Sequence, residues 1–217
     1  MSDAPAEPFA DPGAPALRRR PSQRRSRERV ERILAAAVAL IEARGSDALR
    51  MSELAERAGV SIGSLYQYFP DKAAVVRTLA ERYNEEGRAC IAAELAGVRD
   101  AEGLRRAFGG LIDTYYALFL AEPVRRDVWS ATQADPALRA FELAESRANA
   151  AIVAAVLARL DPAAAPEALS ASALTVMQLG EAAMRLAVSV ERAEGDRLVD
   201  AYKRMALAEL ARAAVAR

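Results

Sequence analysis

Hydrogen-bonding side chains are concentrated between Ser61 and Lys72, where the chain reads SIGSLYQYFPDK. Leu65 and Phe69 are four residues apart, so a helix here would bury both on one side. Small residues at the front of such a helix, with aromatic and amide groups behind, would fit the major groove of DNA and reach base edges. Serine hydroxyls and the free amides of a helix N-terminus also attract phosphate. The residues left exposed in this arrangement are Ile62, Gly63, Ser64, Tyr66, Gln67 and Tyr68.

The sequence offers little for catalysis. It contains no histidine, which removes the commonest general base and the commonest metal ligand. It also has no phosphate-binding glycine loop and no hydrolase nucleophile motif. We therefore expect a protein that is not an enzyme, with no catalytic residue, no metal site and no cofactor.

Cysteine content and apolar runs indicate the compartment. The single cysteine, Cys90, cannot form an intramolecular disulfide, which fits a reducing cytoplasm. The N-terminal residues lack the apolar segment of a secretory signal. The most apolar stretch, residues 163–190, is interrupted by Glu167, Gln178, Glu181 and Arg185, so no membrane span is predicted. We expect a cytoplasmic protein.

Charge is balanced overall but unevenly distributed. Lysine plus arginine equals aspartate plus glutamate, yet residues 17–32 contain eight arginines and two glutamates. Such a basic segment can bind phosphate, or it can be a solvated tail that aids solubility. A neighbouring DNA-binding unit favours the first interpretation, in which the arm from Arg18 to Arg27 follows the DNA backbone or enters a minor groove.

The composition of the chain predicts a nearly all-α fold, because Ala, Leu, Glu and Arg are strong helix formers. Prolines mark residues 1–22 as a flexible basic arm. Residues 23–72 are predicted to be a three-helix DNA-binding domain, and residues 73–217 a helical bundle for ligand sensing and dimerisation. The predicted helices are one ending at Gly45, then 51–58, 62–69, one from Asp71 into the nineties, 101–121, 124–133, 137–160, 166–190 and 196–214.

The two short helices have the signals of a helix-turn-helix. Gly59 stands where a left-handed residue would end the first helix, and Ser61 is a good N-cap for the second. Leu65 is expected to pack on Leu54 and on the small Ala55, which lets the helices approach closely. Two helices joined by a short glycine-containing turn form this motif.

The stretch AERAGVSIGSLYQYFPDK resembles the DNA-binding signature of TetR-family regulators, and the similarity extends over about residues 28–82. The resemblance implies that Ile62, Gly63 and Ser64 lie at the groove-facing tip, next to the hydroxyl of Ser61. It implies base-edge or backbone contacts for Tyr66 and Gln67. For Tyr68 and Lys72 it implies phosphate contacts.

One departure from the family pattern precedes the first short helix. The family often has a threonine there that caps the helix and contacts phosphate, whereas this chain has Arg50, Met51 and Ser52. Glu53 keeps half of a capping box. The capping hydroxyl is then either missing or displaced to Ser52, and Arg50 could replace the phosphate contact, so both residues are candidates for DNA contact.

The predicted sensor domain carries aromatic and methionine residues that either line a ligand cavity or form an ordinary core. The candidates for a cavity are Tyr115, Tyr116, Phe119, Trp129 and Met177. Gln178 and Glu181 are added as polar ligand contacts because they interrupt an apolar helix. Glu181 and Arg185 are four residues apart, so they could instead form an intrahelical ion pair.

The last two predicted helices have apolar stripes wider than one contact requires, which favours a two-fold homodimer. One short reading helix would contact few base pairs, so specificity also favours a dimer. The predicted function is a ligand-responsive repressor that binds a palindromic operator and a small-molecule effector. The alternatives are a non-specific architectural DNA-binding protein, and a small-molecule carrier or enzyme with a vestigial helix-turn-helix.

Overall fold

The computed structural model describes residues 24–134 and 138–213. Within these ranges the chain forms helices and no strand, so the all-α prediction is confirmed. The predicted arm, residues 1–22, lies outside the described residues. The helices are α1 (Arg24–Arg44), α2 (Met51–Ala58), α3 (Ile62–Tyr68), α4 (Lys72–Ala96), α5 (Ala101–Ala121), α6 (Pro123–Ala134), α7 (Arg139–Leu160), α8 (Pro166–Ala187) and α9 (Arg192–Ala213).

The N-terminal core forms around α1, whose apolar residues recur at helical spacing. Val30, Ile33, Leu34, Ala37 and Ile41 are all buried, as one stripe of a helix facing a core must be. The cluster also contains Leu54 of α2, Leu65 and Phe69 around α3, five residues between 74 and 80 of α4, and Val124 and Val128 of α6. The first turns of α4 thus pack with the DNA-binding unit, beyond the predicted boundary at residue 72.

The second core is formed by α4, α5, α7, α8 and α9. Its buried residues include Phe108 of α5, Val153 of α7, Met184 of α8 and Tyr202 of α9. The Tyr202 hydroxyl donates a 2.9 Å hydrogen bond to the Val176 carbonyl, which fixes α9 against α8. Within the described ranges, no helix is both long and apolar enough to cross a membrane.

The start of the last helix differs from the prediction. We expected it to begin after Gly195, but α9 begins at Arg192 and runs through this glycine. A Cβ atom at Gly195 would lie 2.4 Å from the Ala187 carbonyl oxygen and 2.8 Å from the Tyr116 hydroxyl. The glycine therefore permits close packing of α9 on α8 and α5, and it does not mark a break. The preceding helix, α8, correspondingly ends at Ala187 and not at 190.

Candidate DNA-binding surface and ligand cavity

The turn between α2 and α3 is built from local signals. Gly59 has φ +64°, the left-handed conformation that favours glycine. The amide of Val60 closes the turn on the Ala55 carbonyl oxygen at 3.0 Å. The Ser61 hydroxyl caps α3 by accepting a 3.1 Å hydrogen bond from the Ser64 amide. The two helices form the predicted helix-turn-helix.

The outer face of α3 is exposed to solvent. Ile62 is 44% exposed and Tyr66 is 42% exposed, which is unusual for large apolar side chains. Gly63 and Gln67 are exposed beside them, as is the capping residue Ser61. Such a surface leaves the tip of α3 free to enter a groove.

The flanks of α3 carry hydroxyl and guanidinium groups. The Ser64 hydroxyl is half-buried and receives an Arg29 guanidinium from α1 at 3.5 Å. Arg50 stands at the N-cap of α2 but makes no side-chain cap bond, because it lacks an acceptor oxygen. Arg50 and Ser52 are both exposed on this side of the molecule.

Tyr68 does not belong to the exposed set, so that expectation is wrong. It is only 3% exposed, and its ring packs in the core with Leu65. Its hydroxyl lies 2.8 Å from the Ser26 hydroxyl of α1. Tyr68 lies three positions after Leu65, so both point to the same side of this short helix, and the hydroxyl of Tyr68 reaches α1 there. Tyr68 therefore holds α1 against α3.

Lys72 lies at the first position of α4 and is half-buried. Its ammonium group donates a 3.2 Å hydrogen bond to the Asp47 carbonyl, in the loop between α1 and α2. The helix itself is capped by Asp71, which accepts from the Ala74 amide at 2.8 Å, as the sequence predicts. Lys72 thus sits where three segments of the DNA-binding unit meet.

The second unit encloses a cavity of about 220 Å³. Its apolar wall comes mainly from one face of α5 and from Val128 and Trp129 of α6. The Phe119 ring lies 4.6 Å from that of Tyr115 and 5.5 Å from that of Trp129, centroid to centroid, the latter pair edge to face. Both distances are in the range of favourable aromatic pairs.

The opposite wall is polar, and α7 provides most of it. Glu142, Glu145, Ser146 and Asn149 occupy positions i, i+3, i+4 and i+7, so they form one stripe facing the cavity. Glu181 joins them from α8. Its carboxylate accepts the Ser146 hydroxyl at 2.9 Å. Buried carboxylates are unfavourable unless a hydrogen-bonding or charged partner compensates them, so the carboxylates of this wall require such partners.

Burial changes the proton affinity of these groups. It raises the pKa of Glu181 to about 7, with the Ser146 hydrogen bond opposing the change and the charge of Glu142 adding to it. Burial also raises the pKa of Glu142. Burial first, then the charges of Glu181 and Glu142, raise the pKa of Tyr115. The two carboxylates and this phenol thus face the same space.

One carboxylate joins the cavity to the DNA-binding unit. Asp127 of α6 accepts a 3.0 Å hydrogen bond from the Ser46 amide, two residues after α1 ends at Arg44. Its neighbours Val128 and Trp129 line the cavity. One helix therefore contacts both the cavity and the base of the DNA-binding domain.

Apolar side chains are exposed on the outer faces of α8 and α9. Leu179 and Leu186 of α8 are 54% and 50% exposed, and Met205 of α9 is 63% exposed. The small residues Ala182 and Ala208 are also exposed on these helices. This is the apolar face from which the sequence predicts dimerisation.

Two family profiles match the chain. Residues 33–79 match the profile of bacterial regulatory proteins of the tetR family, and residues 102–214 match the tetracyclin repressor-like C-terminal domain. The chain belongs to the TetR family. The first match covers the helix-turn-helix, and the second covers most of the residues that line the cavity.

Individual TetR proteins match the chain over different lengths in sequence and in structure. The HTH-type transcriptional repressor KstR of Rhodococcus jostii is 42% identical over 71 residues, which are 31% of this chain and 34% of that repressor. The matched part therefore spans about a third of this curated relative. A TetR-family regulator from Streptomyces coelicolor superimposes with a TM-score of 0.66 at 24% identity, covering 86% of this chain and 97% of that one. SmeT in complex with triclosan gives a TM-score of 0.65 at 17% identity, covering 83% and 90%. At these identities the structural comparisons establish the fold.

Five of the residues predicted for ligand contact line the cavity. They are Tyr115, Phe119, Trp129, Met177 and Glu181. Tyr116 lies instead against α9, where the Arg192 guanidinium stands 5.4 Å over its ring. Gln178 is outside the lining, and its amide donates to Ser146 at 2.6 Å and to Glu181 at 3.2 Å. Gln178 can therefore orient the Glu181 carboxylate without touching a ligand.

The alternative of a Glu181–Arg185 ion pair is not realised among the described residues. The Arg185 guanidinium donates to Gln133 of α6 and lies 4.7 Å over the Trp129 ring. The helical spacing that favours an ion pair is outweighed by contacts with a neighbouring helix.

Sequence reasoning missed the polar wall of α7. Its signal is an E-x-x-E-S-x-x-N stripe, Glu142 to Asn149, on a helix that must also pack on two sides. Sequence reasoning also missed Tyr83 and Asn84 of α4, which line the same cavity. No local pattern distinguishes those two from solvated residues.

Proposed function

We propose that this TetR-family chain is a ligand-responsive transcriptional repressor that binds a palindromic operator as a homodimer. The observation that carries the proposal is the bare tip of α3, with Ile62 and Tyr66 exposed on a firmly capped two-helix unit. The KstR relatives are HTH-type transcriptional repressors, which supports repression as the activity. The proposed activity is non-enzymatic and takes place in the bacterial cytoplasm, where operator DNA is found.

In this proposal α3 enters the major groove. Ser64, Tyr66 and Gln67 lie near base edges, with Ile62 and Gly63 at the point of closest approach. Arg50, Ser52 and Lys72 contact phosphates and fix the register of the helix. Tyr68, being buried, supports the position of α3 through Ser26.

The dimer is proposed to form through α8 and α9. Exposed leucine and methionine side chains among small residues allow two copies of this face to pack as a four-helix bundle. Two-fold symmetry would present two copies of α3 to two half-sites of a palindrome. A measured mass of one chain at micromolar concentration would contradict this part. Leu179→Glu combined with Met205→Glu should yield monomers, whereas Leu143→Glu, at an exposed apolar residue of α7, should not.

Ligand binding is proposed to act through α6. A molecule that displaces Trp129 also displaces Asp127, two positions earlier, and so pulls on the Ser46 amide below α1. Because α1 holds α3 through the Ser26–Tyr68 contact, the two reading helices of a dimer would change their separation. SmeT, a protein of the same fold, forms a complex with triclosan, which supports a ligand site in this domain.

A competition binding experiment tests the proposal. Labelled DNA from directly upstream of the gene is bound by the protein and challenged with unlabelled copies or with random duplex. A sequence-reading repressor should resist random competitor at physiological salt, where specific binding commonly exceeds non-specific binding by about 10³-fold or more. Equal competition by both duplexes would favour an architectural protein, and no binding would favour a carrier with a vestigial helix-turn-helix.

A further inference from the structure

The chemistry of the cavity walls indicates the class of ligand. Two acceptor atoms of residues that line the cavity, Glu142 Oε1 and Asn149 Oδ1, are fully buried and have no hydrogen-bond partner among the described residues. Buried polar atoms in native proteins are nearly always paired, so each such orphan calls for a specific partner. Both atoms are acceptors, and they lie on the stripe of α7 that lines the cavity. The missing partner must therefore donate hydrogen bonds.

The charges of the cavity residues also favour a ligand that donates hydrogen bonds. Among the described residues, no salt bridge joins Glu142 or Glu181 to a basic side chain. Glu181 receives only neutral donors, from Ser146 and Gln178. The charge of Arg185 acts to lower the pKa of Glu181, but the Arg185 guanidinium donates to Gln133 and not to this carboxylate. A buried carboxylate without a directly paired cation is costly, and a bound cation would offset that cost.

A ligand carboxylate is a poor match for this cavity. Arg125 is the only basic residue that lines it among the described residues. Its guanidinium is already shared between Glu122, at 2.6 Å, and Glu86. It also stacks 4.1 Å over the Tyr83 ring. The remaining acid of the wall, Glu145, is paired with Arg88.

The opposite wall suits the remainder of such a molecule. Phe119 and Trp129 present aromatic surface together with Leu111, Ile112 and Met177. Aromatic faces attract both apolar groups and cations. The volume of about 220 Å³ is small. An apolar cavity of about 150 Å³ accepts benzene, so this one corresponds to roughly ten non-hydrogen atoms.

We propose that this cavity binds a small protonated amine with an aromatic or aliphatic body, whose ammonium group pairs with Glu142 and Glu181. The inference rests on the proposed function, because it assigns the effector class of the same sensor domain. The ammonium supplies the donors that Glu142 Oε1 and Asn149 Oδ1 lack, and the body fills the space against Phe119 and Trp129.

The test uses three probes of nearly equal size on the full chain: 3-phenylpropylamine, 3-phenylpropanol and 3-phenylpropanoate. Their dissociation constants are measured by calorimetry at pH 8, where the amine is protonated and Glu181 is mostly ionised. The amine should bind at least about tenfold more tightly than the alcohol, and the carboxylate should bind most weakly. If the alcohol or the carboxylate binds as well as the amine, or if the amine does not bind at millimolar concentration, the proposal is overturned.

Variants locate the ammonium group. Glu142→Gln and Glu181→Gln should each weaken amine binding at least about tenfold and leave alcohol binding nearly unchanged. Glu167→Gln is the matched control, because Glu167 lies on the same helix as Glu181 but is exposed at its first turn. If amine affinity is unchanged in both cavity variants, the assignment is wrong even if the amine binds the wild-type protein.

A separate readout distinguishes this inference from the proposed function. Operator binding is measured without any probe and then with the amine present. If operator binding is specific and only the carboxylate causes release, the ligand class is wrong and the repressor function stands. If the amine binds as predicted but the protein does not discriminate operator from random DNA, the ligand class stands and the repressor function fails.

Discussion

Replacing Glu181 by glutamine should make the ligand-free protein more stable at alkaline pH. Burial raises the pKa of this carboxyl from 4.5 to about 7, so holding it ionised costs folding free energy. At about 1.4 kcal/mol for each pH unit, the full cost is about 3 kcal/mol. Water entering the cavity screens part of this, so we expect a gain of about 1–3 kcal/mol for Glu181→Gln at pH 8. The amide oxygen can still accept the Ser146 hydrogen bond.

The pH dependence follows from proton linkage. Between about pH 4.5 and 7 the folded wild type binds more protons at Glu181 than the unfolded chain does, so this group makes stability fall as pH rises. The variant lacks this contribution. The two stability curves should therefore coincide near pH 4.5, separate up to about pH 7 and run parallel above it. The neighbouring groups Glu142, Tyr115 and Arg185 are present in both proteins and largely cancel from the difference.

The assay is urea unfolding of wild type and Glu181→Gln from pH 5 to pH 8, followed by circular dichroism. Glu167→Gln, at an exposed site in the first turn of the same helix, should be as stable as wild type or less stable by up to about 1 kcal/mol, because it loses a favourable interaction with the helix dipole, and it should show no gain at pH 8. A variant that is less stable than wild type at pH 8, or a stability difference that does not change with pH, would refute the reasoning. The gain in stability should accompany the loss of amine binding proposed above, because binding sites commonly trade stability for function.

The remaining predictions concern DNA binding and its control. Lys72→Ala should weaken binding to operator and random DNA alike and reduce the salt slope by about one, as for one lost phosphate contact; selective loss of operator binding in a salt titration would contradict this. Gln67→Ala should cost on the order of 1–3 kcal/mol of operator preference with a nearly unchanged salt slope, and wild-type behaviour on both duplexes would remove α3 as the reading helix. Asp127→Ala should leave ligand affinity nearly intact but reduce ligand-induced release of operator, because the Ser46 amide loses its 3.0 Å acceptor. Unchanged release in a fluorescence-anisotropy titration would show that coupling takes another route.

Features set by local sequence were predictable. The boundaries of α5 agree with the prediction because Asp100 caps its start, accepting from the Gly103 amide at 2.6 Å, and Pro123 follows its end. The end of α2 and the start of α3 follow from Gly59 and Ser61 in the same way. Capping and turn signals act over a few residues, so one sequence is enough to locate them.

Features set by neighbouring helices were not predictable in the same way. Tyr68 resembles the exposed Tyr66 in sequence, and only the position of α1 makes it buried. Arg185 has an acidic residue at ideal helical spacing, yet Trp129 and Gln133 of another helix take its guanidinium. The polar stripe of α7 lines a cavity only because α5 and α8 enclose the space that it faces, and the sequence of α7 alone does not show that arrangement.

Because α6 contributes both to the N-terminal core and to the ligand cavity, the two units of this protein should be difficult to exchange independently with those of another protein. Val124 and Val128 are buried in the core that holds the reading helix, although Val128 also lines the cavity. The two units should therefore melt in a single cooperative transition, without an intermediate in which only the reading head is folded. A chimaera that joins the DNA-binding domain of this chain to another sensor domain at α4 would lose Val124 and Val128. The N-terminal core would then be incompletely packed. Such an exchange should succeed only when residues 123–128 are matched to the new head.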